Sequence, residues 1–220
     1  MDRFLDSQSR EPHPALNAIY LVACYFTNSS FYSEMEPALF IQAQQEINVA
    51  LDTSDRLADI VQASSLLAIY MYMNNRVMEG YRYTFSAIRL AVGLGFHQIQ
   101  PPSAISPAYS HHIHPIPISP PRDIIELSDR IFAFWQVFMI DRCWSAADEL
   151  PLAFPDKDTA QCLILTPWPA PLEGDTWSLF VGEFSEGTVS SYMPALKAKA
   201  AALYELTSRS NNSECARGPM

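Results

Sequence analysis

Glycine is scarce in this chain, 7 among 220 residues, and lysine plus arginine number 14 against 24 acidic residues. Few glycines suit a helical protein. The charge balance, 14 − 24 = −10, argues against direct contact with a phosphate backbone, which an acidic surface repels. Cysteine is sparse too. Cys24, Cys143, Cys162 and Cys215 lie far apart with no CxxC pair, without the six cysteines in a compact basic segment that a binuclear zinc cluster needs, and read as four reduced thiols of a cytosolic or nuclear protein. No long apolar run is present. The longest, Ala15 to Phe26, has 12 residues and contains Asn17, short of the ~20 needed to span a bilayer, so it reads as a buried helix. Met1-Asp2-Arg3 opens without the hydrophobic core of a signal peptide, and without secretion the sequon Asn28-Ser29-Ser30 has no meaning.

What the chain has is apolar substance, with 49% hydrophobic and 17% charged residues, enough for a folded core. Its 17 prolines avoid Ala38 to Gln100 and Arg122 to Leu150 and crowd the gaps between. Proline inside a helix costs ~3 kcal/mol, so stretches this long without it favour helix. The central stretch runs from Arg56 to His97. Leu57, Ile60, Val61, Leu67, Ala68 and Met71, then Tyr81, Phe85, Ile88 and Val92, keep the three-and-four spacing of a helix face, twice over. Asn74-Asn75 gives a turn between the two runs, and Gly93-Leu94-Gly95 closes the second.

The remaining elements follow the same logic. Pro14 starts a first helix, Ser30 or Ser33 can cap a second whose inner positions are Met35, Leu39, Phe40, Ala43, Ile47 and Ala50, and Ser54 or Asp55 can cap the third. Asp123 can cap the stretch up to Ala147, with Glu126 and Arg130 spaced as an ion pair. The expected helices are 14–28, 34–51, 55–74, 77–95, 123–147 and 188–209, with no substantial sheet. Residues 98–121 form a proline-rich loop holding seven prolines, residues 1–13 a flexible N-terminus and 210–220 a polar tail. The fold class expected is all-α, an irregular multi-helix bundle of antiparallel helix pairs over residues 14–209. The 123–147 helix should cross the central pair, with Trp135 buried against Ile88 and Ala91.

Order and spacing also carry a family resemblance. Gln62, Ala63, Leu66, Leu67 and Tyr70, then Gly80, Tyr83, Ala87, Arg89, Leu90, Ala91, Leu94, Gly95 and His97, are followed downstream by Arg130, Phe134, Trp135, Asp141, Arg142, Ser145, Pro151, Asp156 and Asp158. In combination these resemble the fungal-specific transcription factor domain, the regulatory region that follows the binuclear zinc cluster in many fungal activators. The resemblance spans roughly Pro14 to Pro169. Where the family usually places Gly-Arg-Pro, this chain has Glu149-Leu150-Pro151. The resemblance implies a nuclear, non-catalytic domain that restrains or relays activation by RNA polymerase II factors. Its partners would be proteins of the transcription machinery or a second copy, with a small-molecule effector as a further possibility and no membrane or direct DNA contact. Zinc belongs to an N-terminal cluster of full-length members, and no cofactor is expected in this chain. It also implies a fragment, without the zinc cluster ahead or the later helices behind. The family-motif residues singled out are Arg89, Gly95, His97, Arg130, Trp135, Asp141, Arg142, Pro151 and Asp156. The alternatives are a helical scaffold or protein-interaction module and, more distantly, a small-molecule enzyme.

No catalytic, metal-binding or cofactor-binding residue is expected. Gly93-Leu94-Gly95 closes a helix, whereas a dinucleotide loop opens one. His111, His112 and His114 can bind metal, but their proline-rich surroundings lack a nearby carboxylate or cysteine and favour solvated side chains. Asp156 and Asp158 suit turn or helix capping better than acid–base work, and His97 can bond the carbonyls of a helix end. Tyr70, Tyr72, Tyr81, Tyr83, Phe85, Phe132, Phe134, Trp135 and Phe138 read as core, or as the lining of an effector pocket.

Overall fold

The computed structural model describes residues 14–27, 29–54, 56–99, 118–154, 163–169 and 193–215. The fold is all-α. Its helices are α1 (Pro14–Thr27), α2 (Ser30–Ser33), α3 (Glu36–Thr53), α4 (Leu57–Met73), α5 (Val77–Gly93), a 3-10 turn (Phe96–Gln98), α6 (Ile124–Ala147) and α7 (Met193–Cys215). No strand occurs among the described residues. The chain divides into two compact units, Met1–Ala87 and Ile88–Met220, and the division falls inside α5.

In the first unit α1, α3 and α4 pack on one another through small side chains. Ala15 and Ala18, Ala43 and Ala50, and Ala63 and Ala68 are all buried, and residues of that size let helix backbones approach closely. Leu21, Val61, Leu67 and Met71 fill the space between. Asn17, the polar break in the first apolar run, donates through Nδ2 to both oxygens of the buried Glu46, each at 2.7 Å. Tyr70 lies edge-on to Tyr25, tilted over Phe40, and donates its hydroxyl to Glu36 Oε2 at 3.0 Å. Burial first, and that bond to a carboxylate second, push the Tyr70 phenol up to about 12.

Several expectations at helix ends are corrected. The expected 34–51 helix starts two residues later, as α3 at Glu36 after the short α2 and a turn at Glu34-Met35, and extends to Thr53. Neither Ser30 nor Ser33 caps α3, which starts with Pro37 in its first turn and no side-chain cap at Met35. Ser54 adopts a left-handed conformation (φ 53°) and its N–H closes α3, so its hydroxyl is not the cap of α4; Arg56, the residue before α4, is also left-handed (φ 49°). An arginine side chain has no acceptor to offer a helix N-terminus; the Arg56 carbonyl accepts from the Ile60 N–H at 3.1 Å. Asp55 lies outside the described residues. Asn74-Asn75 does make the turn, with Asn75 left-handed (φ 58°) and Asn74 Nδ2 donating to the Tyr70 carbonyl. The last helix runs on to Cys215. The inner stripe of α5 also differs from the one expected. Phe85 is exposed and Tyr81 half-buried, whereas Thr84, Ala87, Ile88 and Ala91 are buried. The cause is Tyr72, whose ring lies where a side chain on Gly80 would be, with its hydroxyl 3.4 Å from Thr84 Oγ1. A bulky α4 side chain demands small residues opposite, and the aromatic pair of Tyr81 and Phe85 turns outward, 6.3 Å apart.

In the second unit α6 and α7 pack closely. The contact face of α7 is Ala195, Ala198 and Ala201, followed one turn later by Glu205, all buried. Asp123 caps α6 as expected, accepting from the Glu126 N–H at 2.8 Å.

Candidate functional site

The motif residues of α6 gather in the second unit. Asp141 is buried and spends both carboxylate oxygens on backbone: Oδ1 accepts from Ala153 N at 2.9 Å and Oδ2 from Phe154 N at 3.1 Å. Burial pushes its carboxyl above the usual carboxylate range, against the pull of those two bonds. Arg142, the next residue, donates through Nη2 to the Phe154 carbonyl at 3.0 Å and through Nη1 to Glu205 Oε2 at 3.2 Å. Its guanidinium also lies over the Phe138 ring, 4.7 Å from the centroid. Glu205 pairs with Arg209 as well. One turn of α6 therefore fixes the 150–154 segment and α7 together. A carboxylate and a guanidinium suit this because they supply several acceptors and donors from adjacent positions.

An aromatic cluster completes the region. His97 packs against Phe134 and Phe154, with centroids 6.4 and 6.0 Å away, and Phe138 touches Phe134 and Phe154 in turn. Gly95, left-handed at φ 75°, turns the chain from α5 into the 3-10 turn and so delivers His97 to this core. The 163–169 segment docks beside it. Leu165 and Thr166 donate their N–H groups to the His97 carbonyl, and Thr166 Oγ1 donates to the Phe96 carbonyl at 2.6 Å. Trp135 is buried, donates Nε1 to the Pro167 carbonyl at 2.6 Å and stacks on Trp168 at 4.2 Å. Lys199 of α7 lies over Trp168 in turn. Burial of Trp135 matches expectation; the contacts seen for it are with Phe134, Phe138 and the 167–168 segment.

His97, Trp135, Asp141 and Arg142 are thus brought together. Arg130 sits at the start of α6, where it pairs with Glu126 at 2.8 Å and donates to the Ser119 carbonyl. Burial by itself pushes the Glu126 carboxyl up, but hydrogen bonds from Arg122 and Arg130 outweigh it and hold the group at about 2. Arg89 is exposed on α5, and Pro151 is exposed ahead of the Ala153–Phe154 amides. Asp156, Asp158 and the histidines at 111, 112 and 114 lie outside the described residues. Of the aromatic set, Tyr72, Phe134, Trp135 and Phe138 are buried, Phe85 is exposed, and the rest are half-buried. Sequence reasoning missed Phe154, Glu205, Thr166 and Trp168. For Glu205 a signal existed, since it continues the 195, 198, 201 stripe of an alanine-rich helix, where a carboxylate needs a buried partner.

Among the described residues no three His, Cys, Asp or Glu side chains are placed to hold a metal ion, and no helix is long and apolar enough to cross a membrane. The family model of the fungal specific transcription factor domain matches residues 2–182. The chain belongs to that family. No curated protein and no solved structure matches it significantly. It is therefore a regulatory domain of a fungal transcription factor, a family of transcription regulators and not of enzymes. In this fungal transcription factor domain the Asp141–Arg142 pair falls inside the matched span, while Glu205 and all of α7 lie beyond it.

Proposed function

We propose that this chain is the non-DNA-contacting regulatory domain of a nuclear zinc-cluster factor, restraining or relaying activation by RNA polymerase II through protein partners or self-association. It performs no catalysis. Zinc and DNA contact belong, in this reading, to a separate cysteine-rich basic segment, and no cofactor is held by this chain; a small-molecule effector is one route by which restraint would be lifted. The observation that carries the reading is the use made of the motif charges. Asp141 and Arg142 bond to the 153–154 backbone and to Glu205, so these two motif charges are engaged in holding the fold together. The net charge of −10 supports the absence of DNA contact.

The test places the chain between a heterologous DNA-binding domain and an activation segment in a fungal reporter strain. A severalfold change in output relative to a neutral linker of equal length is expected. Unchanged output would refute regulation. The isolated chain should leave duplex DNA unshifted at low salt, where electrostatic attraction is strongest; salt-sensitive micromolar binding would refute the charge argument.

A further inference from the structure

The seam between α6 and α7 is latched by charge more than by apolar burial. The inner face of α7 is Ala195, Ala198 and Ala201, with Glu205 one turn on at 2% exposure. Alanine methyls bury little apolar area, so the hydrophobic effect contributes little to this seam. Its latch is the ion pair of Glu205 Oε2 with Arg142 Nη1 at 3.2 Å, and both charges give up hydration to form it. Lys199 Nζ adds a contact 5.3 Å from the centroid of the Trp168 ring.

Each of these groups has a second partner that does not depend on α7 being docked. Arg142 donates to the Phe154 carbonyl at 3.0 Å and lies over the Phe138 ring. Trp168 stacks on Trp135. Glu205 carries a partner on its own helix, since Arg209, 53% exposed, pairs with it from one turn away. The Ala153 and Phe154 amides are held by Asp141, and Phe154 lies against His97 and Phe138. The aromatic core is therefore tied together by contacts in which α7 takes no part. Undocking α7 strands no charge, and water regained by Arg142 and Glu205 offsets the lost pair.

We propose that α7 is a releasable clasp, detaching from α6 as one unit while the aromatic core stays folded. Local opening of this kind gives a domain a closed and an open form at less than the cost of global unfolding. The open form presents the Arg142 guanidinium and the alanine face of α7 to solvent. Use of the two forms in regulation rests on the reading above; the opening itself does not.

The experiment is native-state hydrogen exchange of the whole chain, followed amide by amide. Amides of residues 198–206 should share one protection level, about tenfold or more below that of residues 131–142 in α6, with a weaker urea dependence. Equal protection in the two helices would leave only global unfolding and overturn the proposal. So would protection graded from one end of α7, which is fraying, or none at all, which is a helix that never docks. Glu205→Gln breaks the ion pair at nearly constant size and should lower α7 protection about tenfold further while α6 keeps its own. Parent-like protection of α7 in that variant would remove the latch and overturn the proposal. Ala198 is fully buried, so Ala198→Leu overpacks the seam and should strip α7 of protection with α6 unchanged. A parallel loss in α6 would show that the two helices open only together, and the clasp would have to go. Reporter output bears on regulation alone, so failure of the clasp and failure of that reading are distinguishable.

Discussion

The two units are held by different means. In residues 1–87 the helices meet through alanine seams, and the polar contacts that pin them, Asn17 with Glu46 and Tyr70 with Glu36, tie one helix to another at single points. In residues 88–220 an aromatic core is clasped by three buried ionic side chains, Asp141, Arg142 and Glu205, each at most 3% exposed. Small-residue seams gain stability from close approach and tolerate change wherever a neighbour can yield. Buried charges behave otherwise, because removing one member strands the rest in a medium that cannot solvate them. The second unit should therefore be the more brittle of the two.

The hardest blow to it is Trp135→Ala. The substitution empties an indole volume, breaks the bond to the Pro167 carbonyl and removes the ring on which Trp168 stacks. A loss of about 3–5 kcal/mol is expected, a large share of what a domain commands, and thermal melting should show it directly. A melting temperature equal to the parent's would remove the 167–168 segment from the core described here.

Next in size comes Arg142→Met. It leaves Glu205 buried, with Arg209 as its remaining ion-pair partner, and takes a donor from the Phe154 carbonyl. Because Arg209 still compensates in part, about 2–3 kcal/mol is expected in urea unfolding, below the usual range for a fully stranded charge. The double variant Arg142→Met with Glu205→Leu should recover part of that loss. If the double variant is less stable than either single one, the pair contributes net stability and the contrast between the units needs revision.

For the first unit the corresponding test is Gly80→Ala. Alanine gains up to ~1 kcal/mol in an exposed helix, yet here the added Cβ would lie 2.8 Å from ring carbons of Tyr72. Overpacking of this kind costs ~1–3 kcal/mol, so a net loss of about 1 kcal/mol is expected. In a Tyr72→Leu background, where no ring occupies the space, the same change should become neutral or stabilising. Destabilisation of equal size in both backgrounds would show that the helix, and not the ring, is the cause.

These sites also differ in how far the sequence disclosed them. The helices were legible because apolar periodicity and proline-free length are local signals, as was the Asp123 cap. The α5 face was misjudged because Tyr81 and Phe85 are strongly apolar while Thr84 is not, and only the position of Tyr72 reverses their order. The family motif marked Asp141 and Arg142 without revealing their partners. Phe154 and Glu205 are 12 and 63 residues away from Arg142, and no period in the chain connects positions that far apart. Ser54 misled for a local reason, since a serine in the left-handed conformation ends one helix while its type suggests the start of the next.

The smallest effect separates the units by pH. Tyr70 in the first unit is neutral and its phenol is pushed up to about 12, so between its ordinary value near 10 and 12 the unfolded chain ionises while the folded one does not. The stability this group contributes is fully present below pH 10 and is lost as pH rises to about 12. Glu126 in the second unit behaves in the opposite sense. Held at about 2 against an ordinary 4.5, it contributes stability above pH 4.5 that is lost as pH falls towards 2. Both groups are only partly buried, and solvent screening keeps either effect small. Many other groups titrate in these ranges, so the informative quantity is the gap between parent and variant. The parent's advantage over Tyr70→Phe in urea unfolding should shrink from pH 10 to pH 12 and stay constant from pH 6 to pH 9. Its advantage over Glu126→Gln should shrink from pH 4.5 to pH 2 and stay constant above. A Tyr70→Phe gap that persists at pH 12 would mean that packing against Tyr25 and Phe40, and not the bond to Glu36, is what the phenol side chain provides.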